Sequence, residues 1–306
     1  MKKYVVRILV FFAIVVVIDI CVGFAGYYLQ THAKGGSTKQ FNDLVMNDSH
    51  DVLILGSSRA SHHYDTPFLS DTLGLDIYNA GYDGNGVILA NGILELLLKH
   101  SHPKLILLDI EPSFDIIVYD KDNNHKRYIA DLKPYYRYPE IGRIIKDVSE
   151  EEWYKVHSGM MRYNTDIIKM TIDNIMKREN PQKGYVPLSG AMLNEPAIGL
   201  PSGPNETDTF KLKYVSHIID VAQSNDIPIA LVASPKYTKA GASVLEPVIE
   251  ICERESVPFL NYYNHPDFMT HKEWFKEKMH LNSAGARVFS RMISGEIERL
   301  LCVAQK

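Results

Sequence analysis

Three short segments carry the residue types of nucleophilic acyl chemistry. Gly56-Ser57-Ser58-Arg59 follows directly on the apolar run Val52 to Leu55. A serine hydroxyl there becomes a nucleophile only when a base takes its proton. Histidine suits that task near neutral pH. His280 stands in Glu277-Lys278-Met279-His280-Leu281-Asn282-Ser283-Ala284-Gly285-Ala286, with an acid three positions upstream that can hold the other ring nitrogen. The third segment, Asn79-Ala80-Gly81, ends an apolar run in a small residue, which lets a backbone N–H approach a substrate oxygen. Each has an ordinary reading by itself. Ser57 or Ser58 can cap a helix, Gly81 can make a turn, and His280 can be structural. Their joint occurrence at the carboxyl ends of expected strands favours chemistry, because open α/β sheets bind ligands there.

The elements that would position them alternate. Short continuous apolar runs lie at Val52 to Leu55, Leu75 to Tyr78, Leu105 to Ile110, Ile227 to Ala233 and Pro258 to Tyr262. Such runs suit parallel strands buried on both faces. Amphipathic stretches at Ile88 to Leu98, Tyr214 to Ala222, Val244 to Cys252 and Ala284 to Leu301 read as helices. The pattern predicts an α/β fold: a three-layer α/β/α domain around a mostly parallel, five-stranded, flavodoxin-like sheet. The rhythm breaks over about 115–210, which is rich in Tyr, Lys and Asp. It has helical periodicity near Ile141 to Ile145 and Ile167 to Ile175, then an irregular loop over Gly199 to Thr207. We read it as a mostly helical insertion, either a lid over the site or a structural cap.

Ahead of the domain, Ile8 to Tyr27 carries a single charge, Asp19. As a helix it would be roughly 30 Å long, the thickness of a bilayer core. Lys2, Lys3 and Arg7 precede it, and positive flanks stay in the cytoplasm. The alternative is a cleaved signal peptide, but no clear small-x-small site follows. The expected organisation is residues 1–30 as cytoplasmic tail and transmembrane anchor, 31–50 as a polar stalk, and 51–306 as an extracytoplasmic domain. Cys21 reads as a buried apolar thiol. The 306 residues are 45% hydrophobic and carry a net charge of −4, which excludes global disorder and gives no basic field for nucleic acid. The three cysteines are scattered, and there is no P-loop, GxGxxG or HExxH spacing, so neither metal nor organic cofactor is expected.

The order of these blocks resembles the SGNH/GDSL hydrolase superfamily, including its membrane-anchored bacterial members. The match is most specific in His-Leu-Asn-x-x-Gly-Ala at 280–286 and extends through Ser57 to Tyr64. The resemblance implies Ser58 as nucleophile, His280 as base and Glu277 as the acid orienting it. It implies backbone N–H groups of Ser58 and Gly81 as oxyanion donors. The sequence departs from that family in three places. Ser57 replaces an aspartate, and Glu277 stands where the family has Asp. The strand at Leu105 to Ile110 runs into Glu111-Pro112-Ser113-Phe114 with no Gly-x-Asn. Losing the donor that this Asn supplies can cost about 10²–10³ in rate. Ionised Asp109 or Glu111 cannot replace it, so either the hole has only the Ser58 and Gly81 backbone donors or Asn85, Arg59 or Asn164 fills in.

The expected function is that of a membrane-anchored serine esterase or O-acyltransferase. It would act on acylated cell-envelope carbohydrate, or another small ester, through a covalent Ser58 ester. The alternative is a non-catalytic envelope scaffold or carbohydrate-binding protein on a degenerate hydrolase fold. His62 and His63 could line the pocket. Tyr135, Tyr136 and Tyr138 with Arg137 could stack on sugar rings or simply pack.

Overall fold

The computed structural model describes residues 1–118, 124–164, 166–177, 179–192, 206–238 and 242–304. The chain divides into two compact units: Met1–Asn47 with His125–Asn180, and Asp48–Asn124 with Pro181–Lys306.

The second unit holds a five-stranded, all-parallel sheet: β1 (Val52–Gly56), β2 (Ile77–Gly81), β3 (Leu105–Asp109), β4 (Ile229–Ala233) and β5 (Phe259–Asn261). Their order is β2-β1-β3-β4-β5, so the connection reverses between β1 and β3 and opens a crevice at their carboxyl ends. Every residue of β1 to β4 is buried, which explains why these strands read as unbroken apolar runs. Val52, Ile54, Leu105, Leu107, Ala230 and Val232 point into one core with Phe268, Phe275, Phe289, Ile293 and Ile297. The strand β2 begins two residues later than the expected Leu75. Gly74, at φ 65°, closes the Thr66–Leu73 helix in the left-handed region, and the Ser70 hydroxyl receives the Ile77 N–H at 3.1 Å. The expected helices are present as Val87–Leu97, Thr209–Ser224, Glu246–Arg254 and Ser283–Ala304.

The first unit is built on the helix Lys2–Thr31, which is long and apolar enough to cross a membrane. Residues 31–50 are not an open stalk. They include the helix Gly36–Asn42, and Phe41, Leu44 and Val45 are buried, so spaced apolar residues fold a segment whose composition is that of a linker. Cys21 is exposed on the N-terminal helix rather than buried. The helical segment belonging to this unit is His125–Asn180, narrower than the expected insertion, and it includes Pro139–Val148 and Asp166–Met176. Pro181 to Met192 returns to the sheet unit, where Val186 donates its N–H to Ser61 and Met192 to Phe275. The irregular loop expected at Gly199 to Thr207 lies, up to Asn205, outside the described residues.

Candidate active site

Gly56 ends β1 at φ 148°, and a Cβ there would come within 2.7 Å of the Asp109 carbonyl oxygen. Only glycine fits that turn. The two serines that follow divide their work. Ser57 is the N-cap of the Ser58–His63 helix, its hydroxyl accepting the Arg59 N–H at 3.3 Å. Ser58 is therefore free to point elsewhere, and its Oγ lies 2.7 Å from Nε2 of His280.

His280 is held in a closed turn. Its carbonyl accepts the Lys276 N–H at 2.9 Å, and the Phe275 and Leu281 backbones bridge behind it. Two residues on, Asn282 caps the Ser283–Ala304 helix by accepting from Ala284 and Gly285 at 3.1 and 3.0 Å. Its amide donates to the carbonyls of Gly190 and Glu273. The family-like string at 280–286 is thus a base, a cap and a tightly packed helix start. A Cβ on Gly285 would sit 2.2 Å from the Trp274 carbonyl.

Glu277 Oε1 bonds to Nδ1 of His280. A carboxylate only accepts, so the ring proton sits on Nδ1 and Nε2 is bare toward the Ser58 hydroxyl. Partial burial raises the Glu277 carboxyl, but the His280 ring and the Met279 N–H, 2.8 Å from Oε2, outweigh it and hold the group below its ordinary value. The longer acid thus reaches the imidazole from three positions upstream. Serine, histidine and glutamate form one hydrogen-bonded line across 222 positions of chain.

The expected oxyanion donors fare differently. Ser58 is the first residue of its helix, and among the described residues nothing accepts its N–H. The Gly81 N–H is already given to Asn79 Oδ1 at 3.0 Å. That amide cannot turn freely, because its Nδ2 donates to the Ala60 and Tyr64 carbonyls. Gly81 is glycine for packing: a Cβ would lie 2.3 Å from the Ser61 N and 2.7 Å from the Ala60 Cβ. Asn85 is partly exposed in the turn after β2 and donates to the Asp83 carbonyl at 3.2 Å. Asn164 belongs to the first unit, where it ends the Gly159–Tyr163 helix. Arg59 is wholly buried. It donates to the Ser234 carbonyl and hydroxyl and stacks over the Tyr263 ring at 5.4 Å, which ties the serine turn to the end of β4.

After β3, Glu111 turns its carboxylate back onto the Ser113 and Phe114 N–H groups. Its other oxygen lies 3.9 Å from Lys236 Nζ, and burial holds that ammonium below its ordinary value. Beneath the serine, Tyr64 donates to Asp109 Oδ2 at 2.6 Å, and burial keeps the Asp109 carboxyl above its ordinary range.

The adjacent histidines diverge. Nδ1 of His62 donates to the Val186 carbonyl at 2.7 Å, and Nε2 faces Asp83 at 3.3 Å. The His62 ring centre is 5.2 Å from that of His280, which places this pair beside the base. Burial lowers the His62 pKa, but Asp83 and the Val186 carbonyl outweigh it and leave it raised. His63 is fully buried, and burial, with Arg59 nearby, pushes its pKa well down. It is therefore neutral. Nε2 accepts the Leu281 N–H at 3.0 Å, so Nδ1 carries the proton toward the Ser234 hydroxyl at 2.9 Å. Sequence spacing alone does not reveal Ser234, Asp83 or Lys236 as neighbours of the site. The only signal was the pair of histidines one turn after the nucleophile. Among the described residues no group of three or more His, Cys, Asp or Glu could hold a metal ion. Tyr135, Tyr136, Arg137 and Tyr138 lie in the first unit.

No family model matches the chain, and no curated protein does.

Proposed function

We propose that this chain is a membrane-anchored, extracytoplasmic serine esterase or O-acyltransferase of the SGNH/GDSL type, acting on acylated cell-envelope carbohydrate. The observation that carries the reading is the Ser58–His280–Glu277 line, with the serine within hydrogen-bond reach of a base whose other nitrogen is held by a carboxylate.

In the first half-reaction Ser58 Oγ attacks the ester carbonyl as its proton passes to His280 Nε2. Glu277 stabilises the imidazolium that forms. The Ser58 N–H holds the developing oxyanion. His280 then gives the proton to the departing alcohol, leaving an ester on Ser58. In the second half-reaction water or a sugar hydroxyl gives its proton to Nε2 and attacks the acyl carbon, and His280 returns that proton to Oγ as the Ser58–acyl bond breaks. Lys2, Lys3 and Arg7 keep the start of the N-terminal helix in the cytoplasm, so the rest of the chain faces the other side.

A serine-directed fluorophosphonate probe should label the wild-type chain, with Ser58→Ala and His280→Ala losing the label. Equal labelling of Ser58→Ala would defeat the reading. Product analysis with acetylated xylan or peptidoglycan then separates hydrolysis from transfer.

A second reading, a non-catalytic carbohydrate-binding scaffold, is favoured by one specific observation. The Gly81 N–H is given to Asn79 and the Asn85 amide to the Asp83 carbonyl, which leaves a sparse oxyanion site. Sugar binding without label incorporation would select it.

A further inference from the structure

We propose that the first unit does more than carry an anchor: the outward face of the helices Gly159–Tyr163 and Asp166–Met176 is itself seated in the lipid of the leaflet where Lys2–Thr31 leaves the bilayer. The inference rests on the anchor in the reading above and is independent of the hydrolase chemistry.

The first observation is depth. Counting back from Tyr27, the polar end of the apolar run, Asp19 lies eight residues down the helix, or about 12 Å along its axis. A leaflet of hydrocarbon is roughly 15 Å thick. An intramembrane carboxylate is costly unless protein satisfies it, and here protein does. Ser158 Oγ donates to Asp19 at 2.5 Å, the Gly159 N–H at 3.0 Å and the Met160 N–H at 2.9 Å. These donors belong to the beginning of the Gly159–Tyr163 helix, so that helix starts at the depth of Asp19. The backbones pass closely there, since a Cβ on Gly159 would meet the Asp19 carbonyl at 2.4 Å and Gly23 N at 2.5 Å. Near the polar end, Asn174 donates to the Leu29 carbonyl at 3.3 Å and accepts the Lys34 N–H at 3.0 Å. The Gly159–Tyr163 helix therefore runs beside the outer part of the anchor, from Asp19 to Gly26, where Tyr163 packs, and Asp166–Met176 meets the anchor at its polar end, beside Leu29.

The second observation is what they turn outward. Ile168 is 62% exposed and Ile175 75%, with Ile172, Met176, Met160 and Met161 also exposed. Residues 168, 172 and 175 fall within about 60° of one another around a helix of 3.6 residues per turn. They form a continuous apolar stripe, where a water-facing helix would be polar. The neighbouring helix Pro139–Val148 of the same unit shows the ordinary pattern, with Ile141, Ile144 and Ile145 buried and Arg143, Lys146 and Asp147 outward. Lipid fits the exposed stripe because it adjoins the exposed Tyr27 and Tyr28 where Lys2–Thr31 leaves the bilayer, and the Gly159 and Met160 N–H groups, deeper down, are taken by Asp19.

The test uses the full chain in lipid nanodiscs, with Cys21, Cys252 and Cys302 replaced by Ala. Single nitroxide-labelled cysteines are placed at Val16, Ile168, Ile172 and Arg143, all exposed, so the labels displace no core. Power saturation with oxygen and with a water-soluble nickel chelate reads lipid against water. The expected result is an oxygen-to-nickel ratio at 168 and 172 that lies below Val16, as suits the edge of the leaflet, and far above Arg143. Labels at 168 and 172 that favour nickel, while Val16 favours oxygen, overturn the proposal and leave the anchor standing. Labels at 168 and 172 shielded from both reagents mean a protein cover, such as a second copy, and also overturn it. A Val16 label in water removes anchor and proposal together.

Discussion

The N–H of Leu281, the residue immediately after the base, is received by Nε2 of His63 at 3.0 Å. The imidazole that bonds to the Ser58 hydroxyl is thus located by a second imidazole from that serine's own helix. His63 is in turn fixed by Ser234 at the end of β4. The helix after β1, the end of β4 and the His280 turn are thereby locked to one another.

Replacing His63 should loosen that lock. In His63→Leu the Leu281 N–H loses its partner, and an error near 1 Å in the base can lower the rate by about 10². We expect kcat to fall by about that factor with KM little changed. His63→Gln, whose amide oxygen can still accept the N–H, should recover part of the loss. Steady-state hydrolysis of a chromogenic ester checks this, and equal rates for the three proteins would remove His63 as a positioning residue.

Glu277 fixes the tautomer of His280. A glutamine there can donate to Nδ1, which would move the ring proton to Nε2 and leave no acceptor for the serine. Glu277→Gln should therefore lower kcat by about 10²–10⁴, with the fold unchanged by circular dichroism. A Glu277→Gln protein as fast as wild type would show that the carboxylate orients nothing.

Gly81 is required for close approach. Gly81→Ala places a methyl 2.3 Å from the Ser61 backbone N. Overpacking of this kind costs about 1–3 kcal/mol. The expected outcome is a lowered Tm with lost activity, read by thermal unfolding of the soluble portion. An unchanged Tm would mean that the serine helix can shift.

Asp115 supplies a pH test. Burial pushes its carboxyl up to about 7, against the pull of the Glu111 and Val87 N–H groups that it receives. Its folded pKa lies above the unfolded value near 3.9. Between roughly pH 4 and 7 the folded state holds a proton that the unfolded state has lost, so stability declines as pH rises. The slope approaches about 1.4 kcal/mol per pH unit. Asp115→Asn, which cannot ionise, should lose less than wild type between pH 5 and 7. Urea unfolding at both pH values decides it, and a wild-type to variant gap that does not change with pH would sink the assignment.

Strand runs and strand-end glycines made the sheet legible, because burial on both faces leaves an unmistakable apolar string. The pairing of Ser58 with His280 and Glu277 was legible from residue chemistry and spacing joined to resemblance. Other features were hidden because they depend on what packs from elsewhere. Gly81 reads as a donor until Asn79 is seen to take its N–H. Residues 31–50 read as a linker because their few apolar residues bury against structure far along the chain. The return of Pro181–Met192 to the sheet unit carries no periodicity at all.

The distance of 222 positions between hydroxyl and imidazole has a consequence for biosynthesis. A nascent chain exposes Ser58 early but has no base until His280 and the turn that holds it have been made and folded. The enzyme proposed here would be silent until then. A single proteolytic cut that releases the last helix would switch it off again.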